Sequence, residues 1–199
     1  MAKSVAAKVN LPAHEVMVQN ILATYRSATP AQVEAGTLWY AQALEWAETL
    51  ATGTPYSVAQ CAGVIAALSP KQEWAINKRA ALNCVQAHSR GEALPACHYP
   101  IQVDKAQRIL DGALPLDVLH GPKERSFYGN IMGDASCITV DRWAFRTATG
   151  VSLGDNAGGI STSAYPILAA AWNEAARILG VSRHIVQAVC WVVERGSAQ

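Results

Sequence analysis

No stretch of this chain alternates apolar and polar residues for more than a few positions, which argues against half-buried strands. Its apolar residues fall instead into windows of helical length, rich in alanine and separated by Ser, Thr, Gly and Pro. Alanine is the strongest intrinsic helix former, so windows of this kind favour helix over strand. The expected fold class is all-α, in about nine helices joined by short loops. A hydrophobic share of 51% in 199 residues excludes a disordered chain and suits a single domain over 1–199.

The punctuation places the helices. A first helix is expected over 12–27. Thr29 and Pro30 then read as N-cap and first helical position of a second, running to about Leu50. Ser57 can cap a third, over 58–68, which is apolar nearly all round and therefore central to the fold. Further helices are expected over 72–89, 103–110, 123–132, 141–149, 163–179 and 182–194, with one turn near 116–119 and a loop over 91–100. Gly150 and Gly180 read as C-terminal stops, and the glycine-rich stretch 154–163 as a flexible surface loop.

Composition narrows the function classes. No apolar run approaches the roughly 18 residues of a membrane span, and the N-terminus lacks the apolar core of a secretory signal. The five cysteines are widely spaced and form no metal-ligand pattern, as expected of reduced thiols in a cytoplasmic protein without metal or cofactor. The five histidines show no ligand spacing either. A net charge of +1 means that any contact with nucleic acid must be local, through one patch or through backbone amides.

Residues 118–146 carry the clearest chemical signal. Gly121 sits at a helix–helix junction directly before a helix start, where glycine allows positive φ and close approach of another backbone. The free amides of that helix start, from Gly121 and from Lys123 or Glu124, can seat one phosphate. Eighteen residues after Lys123, the apolar and β-branched Ile138-Thr139-Val140 leads into Asp141 at a helix N-terminus. Such an aspartate caps its helix. A capping carboxylate is also held firmly enough to act as a base or to stabilise developing positive charge. Arg142 and Arg146 lie one turn apart and suit a phosphate or a carboxylate. Most of the six tryptophans should be core, whereas Trp74 and Trp143 are expected to flank a cleft and could stack on a base.

Leu119-His120-Gly121-Pro122-Lys123, followed by Thr139-Val140-Asp141-Arg142-Trp143, resembles the hairpin and catalytic-aspartate segments of the helix-hairpin-helix DNA glycosylase superfamily, in particular its endonuclease III-like members. Residues 65–78, with Ser69-Pro70-Lys71-Gln72 at their centre, resemble the helix–Ser-x-Gln–helix segment that lines the base pocket in that superfamily, and the two segments stand in the right order. The likeness covers about 58–150. It departs from the superfamily in having Leu119 for the first hairpin glycine, Arg142 and Trp143 after the aspartate, and no four-cysteine iron–sulfur motif. The sequence is also similar to small proteins of actinobacteria and their phages.

The resemblance implies a glycosylase-like helical domain without an iron–sulfur cluster, acting on a base in DNA. The reaction would be N-glycosidic cleavage, with or without lyase activity, or base modification. Asp141 would be the catalytic acid and Lys123 the nucleophile. His120, Gly121, Lys123 and Arg125 would hold the DNA phosphate. Gln72, Glu73, Trp74, Asn77 and Trp143 would line the base pocket, on the expectation that Lys123 and Asp141 face one cleft. The alternative is a non-catalytic protein derived from the same fold, which engages DNA or, as a phage effector, a host protein.

Overall fold

The computed structural model describes residues 10–96, 99–153 and 159–196. These form ten α-helices and no strand, so the fold class is all-α. They are α1 (His14–Arg26), α2 (Pro30–Ala51), α3 (Val58–Leu68), α4 (Trp74–Ser89), α5 (Pro100–Leu110), α6 (Pro115–Val118), α7 (Pro122–Ile131), α8 (Arg142–Thr149), α9 (Ala164–Leu179) and α10 (Arg183–Arg195). The tenth is α6, the single turn expected near 116–119. No single helix among the described residues is long and apolar enough to cross a membrane. The N-terminal residues 1–9, Cys97, His98 and positions 154–158 of the glycine-rich loop lie outside the described residues.

Local chemistry sets most boundaries. Thr29 and Gln32 cap each other at the start of α2, through Thr29 N–H to Gln32 Oε1 (2.9 Å) and Gln32 N–H to Thr29 Oγ1 (3.3 Å). Ser57 and Gln60 form the same reciprocal box at α3. Gly150 and Gly180 end α8 and α9 with φ of 72° and 65°, the left-handed conformation that glycine adopts without a Cβ penalty. Two of the starts that differ from expectation have a clear local cause. α5 begins three residues early because Pro100, read as a loop residue, occupies the first helical position, where its missing N–H costs nothing. α4 begins at Trp74, because Gln72 instead closes a turn by donating its N–H to the Ser69 carbonyl (3.3 Å).

The chain forms two compact units: Met1–Trp39 with Ala135–Ala198, and Tyr40–Asp134. Helix α2 supplies residues 30–39 to the first and 40–51 to the second. In the first unit, α1, α8, α9 and α10 enclose a core of Met17, Ile21, Phe145, Leu168, Trp172 and Val186 with their neighbours. In the second, α3 is the central rod: every residue from Cys61 to Leu68 is buried, and α4, α5, α6 and α7 pack on it. Small residues make this possible. A Cβ built on Gly63 would come within 2.9 Å of the Pro115 ring, so α6 rests almost on the α3 backbone.

Candidate functional site

In the first unit, the lead-in to α8 is pinned by one hydroxyl. Tyr165 Oη accepts from Val140 N–H (3.0 Å) and donates to the Ile138 carbonyl (2.7 Å), with all partners buried. Asp141 follows as N-cap, and its Oδ1 accepts from Trp143 N–H (2.9 Å) and Ala144 N–H (2.8 Å). The expected capping aspartate is therefore present, half-buried and oriented by two amides. Beside it, the guanidinium groups of Arg142 and Arg146 lie 5.1 and 5.9 Å from the Trp143 ring centroid. Arg146 also pairs with Glu194 on α10 (3.3 Å), to which the Thr147 hydroxyl donates as well (3.4 Å). Further along α10, Arg195 lies over Trp191 at 4.8 Å, and Trp191 meets Trp39 edge to face at 5.6 Å. The result is a surface of arginines on tryptophan faces, a chemistry suited to phosphates and to the π-faces of bases.

The glycine turn belongs to the second unit. His120 is exposed, Lys123 half-buried, and Gly121 is the N-cap of α7. Its φ of −74° is ordinary, and a Cβ there would meet nothing closer than the Glu124 carboxylate at 3.6 Å. No neighbouring backbone crowds this glycine, so its local role is that of a cap. Glu124, only 7% exposed, places its carboxylate at the start of α7 and pairs with Lys105 at 2.6 Å. The α7 dipole thus faces an internal anion. Arg125 donates from Nη1 to the carbonyls of Leu116 and Leu119, tying off the end of α6.

The remaining expected residues divide between the units, with Trp143 in the first and Gln72, Glu73, Trp74 and Asn77 in the second. Glu73 is the exposed N-cap of α4 but makes no side-chain cap bond, and Gln72 is half-buried in the preceding turn. Lys78 Nζ lies between two indoles, 5.6 Å from Trp74 and 5.8 Å from Trp46. Asn77 is 2% exposed, and its Oδ1 has no hydrogen-bond partner. Lys71 takes a φ of 57°, the only positive value outside glycine among the described residues.

Sequence reasoning missed one constellation in the second unit. Tyr56 Oη lies 2.6 Å from His88 Nδ1, and His88 Nε2 lies 2.9 Å from Asp111 Oδ1. A carboxylate can only accept, so Nε2 donates to it, and in the neutral ring Nδ1 then accepts from the tyrosine hydroxyl. The bond from His88 holds the Asp111 carboxyl below its ordinary range, with a second contribution from Gln107. Burial, ahead of the charge of Asp111, raises the Tyr56 hydroxyl. These residues stand at the start of α3 and at the ends of α4 and α5. No short motif joins them in sequence, and only the helix lengths bring them together.

Cys61, Cys84 and Cys190 are buried thiols, Cys137 is half-buried, and none of the four is in a disulfide. Among the described residues, no group of three or more His, Cys, Asp or Glu side chains is placed to hold a metal ion. No curated protein matches the chain. No solved structure matches it. One family does match, over residues 3–198, and the chain therefore belongs to DUF7178, a family of unknown function.

Proposed function

We propose that this protein binds DNA, with the exposed face of α8 as its contact. The observation that carries this reading is the pair of arginines, Arg142 and Arg146, on the ring of Trp143. Guanidinium groups pair with phosphates in a planar, bidentate way, and an indole offers a stacking surface to an unpaired base. A patch of this size needs no large basic excess, which agrees with the net charge of +1. The test is fluorescence anisotropy with single-stranded and duplex oligonucleotides over a salt series. Each phosphate contact removed should lower the slope of log K against log salt by about 1. Arg142→Gln should therefore weaken binding and flatten the slope by about that amount, and Trp143→Ala should weaken the single strand more than the duplex. Unchanged affinity in both variants would refute the proposal.

A second reading, action on a DNA base as the helix-hairpin-helix resemblance implies, is favoured by one observation. Asp141 is held by two amides at the start of the same helix, directly before Arg142 and Trp143. In that reading Asp141 is the acid and Lys123 the nucleophile. Duplexes carrying uracil, oxidised or alkylated bases, with borohydride trapping, test it. A trapped adduct that disappears in Lys123→Ala supports lyase chemistry, and base release lost in Asp141→Asn supports cleavage. Binding without product on any substrate leaves the non-catalytic reading.

A further inference from the structure

Within the first unit, α10 packs against α8, and one carboxylate joins the two helices. Glu194 pairs with Arg146 Nε (3.3 Å) and accepts from the Thr147 hydroxyl (3.4 Å). Trp143 stands one turn before Arg146, whose guanidinium lies 5.9 Å from its ring centroid. Trp191 stands one turn before Glu194, and Arg195 returns over its ring at 4.8 Å. Each helix therefore presents an arginine laid on a tryptophan, and Glu194 links the two pairs. Arg146 is exposed, and Trp143, Trp191 and Arg195 are half-buried, so both pairs border solvent.

Glu194 is loosely seated. Charge-assisted bonds run at about 2.7–2.9 Å, and Arg177 meets Glu174 in the same unit at 2.7 Å. Both contacts of Glu194 are longer, although its side chain is only 16% exposed and that of Arg146 is 47% exposed. The carboxylate has lost most of its water without gaining a short bond in return. The segments 141–147 and 191–195 hold three arginines against two carboxylates. Asp141 is engaged with the α8 amides, so Glu194 is the anion that occupies Arg146.

An arginine laid on an indole is already ordered. The outer face of its guanidinium can stack on a base, and its N–H edge can bond a phosphate. Two such planes joined by an exchangeable anion match the order of groups along a single strand: base, phosphate, base. In a duplex the bases are stacked on one another and cannot reach either plane. We propose that the DNA contact spans α8 and α10 and takes a single strand, one phosphate of which displaces the Glu194 carboxylate from Arg146. The flanking bases stack on the arginine–tryptophan pairs of the two helices. The inference rests on the reading of α8 as a DNA contact, and adds to it the α10 half of the site and the residue that guards it.

Fluorescence anisotropy of the full chain with a labelled oligothymidylate, and with a duplex of the same length, over a salt series tests it. Glu194→Gln keeps an acceptor for the Thr147 hydroxyl and removes the charge. It should tighten single-strand binding about threefold, the worth of one partly exposed ion pair, and steepen the salt slope by about 1. Mere damage to the packing of α10 on α8 would weaken binding instead. Arg195→Gln should weaken the single strand, flatten its slope by about 1 and affect the duplex less. If Glu194→Gln fails to fold, Arg195→Gln carries the test. No binding by the unaltered protein would overturn the α8 reading and this inference with it. Binding that Arg142→Gln weakens, but that Glu194→Gln fails to tighten or Arg195→Gln leaves unchanged, would overturn this inference and spare the α8 reading. Equal effects of both variants on single strand and duplex would overturn the assignment to a single strand.

Discussion

Asp141 shows how one residue can be legible in sequence while its chemistry stays open. Its carboxylate satisfies two of the amides that every helix start leaves unpaired. Asp141→Ala should lower stability by about 1 kcal/mol, measured by urea denaturation, whatever the residue does to a ligand. Asp141→Asn keeps the cap and isolates any role of the charge. Glu124 and Lys105 present the reverse case, since nothing in the sequence pointed to their pairing. They form a pair at 2.6 Å with side chains only 9% and 13% exposed. Lys105→Met strands a buried carboxylate and should cost about 3–5 kcal/mol, whereas Lys105→Met with Glu124→Leu should recover most of the loss. A double variant no more stable than the single one would show that the pair contributes more than mutual neutralisation.

At the scale of elements, close approach depends on Gly36 and Gly63, which sequence reading passed over. A Cβ on Gly36 of α2 would fall 2.5 Å from Val189 Cα on α10, a backbone atom that cannot swing aside. Alanine would gain up to about 1 kcal/mol of helix propensity there. The overlap should outweigh this, so Gly36→Ala is expected to destabilise by about 3 kcal/mol or more, read as a fall in melting temperature. Gly121, which the sequence singled out, behaves differently. With ordinary φ and room for a Cβ in van der Waals contact with the Glu124 carboxylate at 3.6 Å, Gly121→Ser should be neutral or gain a few tenths of a kcal/mol as a better N-cap. A large loss of stability would reveal a contact at that turn beyond its capping role.

For the whole molecule, pH acts through groups spread over both units. Burial raises the Cys61 thiol from 9.0 to about 11. The unfolded chain therefore loses this proton first, and the contribution of Cys61 is complete below pH 9 and declines as pH rises toward about 11. On the other side, burial lowers the His184 imidazole below 6.5, so its contribution is complete above that pH and fades as the solution becomes more acidic. The bond from His88 lowers the Asp111 carboxyl below 3.8, which adds a further loss at still lower pH. The melting temperature should thus be highest between about pH 7 and 9 and fall on both sides. Cys61→Ala should make the alkaline limb shallower, leaving the part due to the Cys190 thiol, which burial raises further, and leave the acidic one unchanged. A parallel decline in the variant would assign the alkaline loss to other groups, Tyr56 among them.

The helices can be read from the chain alone, because their signals are local. Thr29 with Gln32, Ser57 with Gln60, and Asp141 each act within one turn, and Gly150 and Gly180 stop helices through their own backbone freedom. The apolar girth of α3 announced its central place for the same reason. Which polar groups meet was settled by the packed fold. Tyr56, His88 and Asp111 converge because three helix lengths happen to match, and Lys105 reaches Glu124 because α5 and α7 both pack against α3. It also decided which groups remain unpaired, as at Asn77 and Gln102. A capping bond spans three residues and can be read from composition. A long-range bond depends on the summed geometry of every turn between its partners, which no single stretch of sequence records.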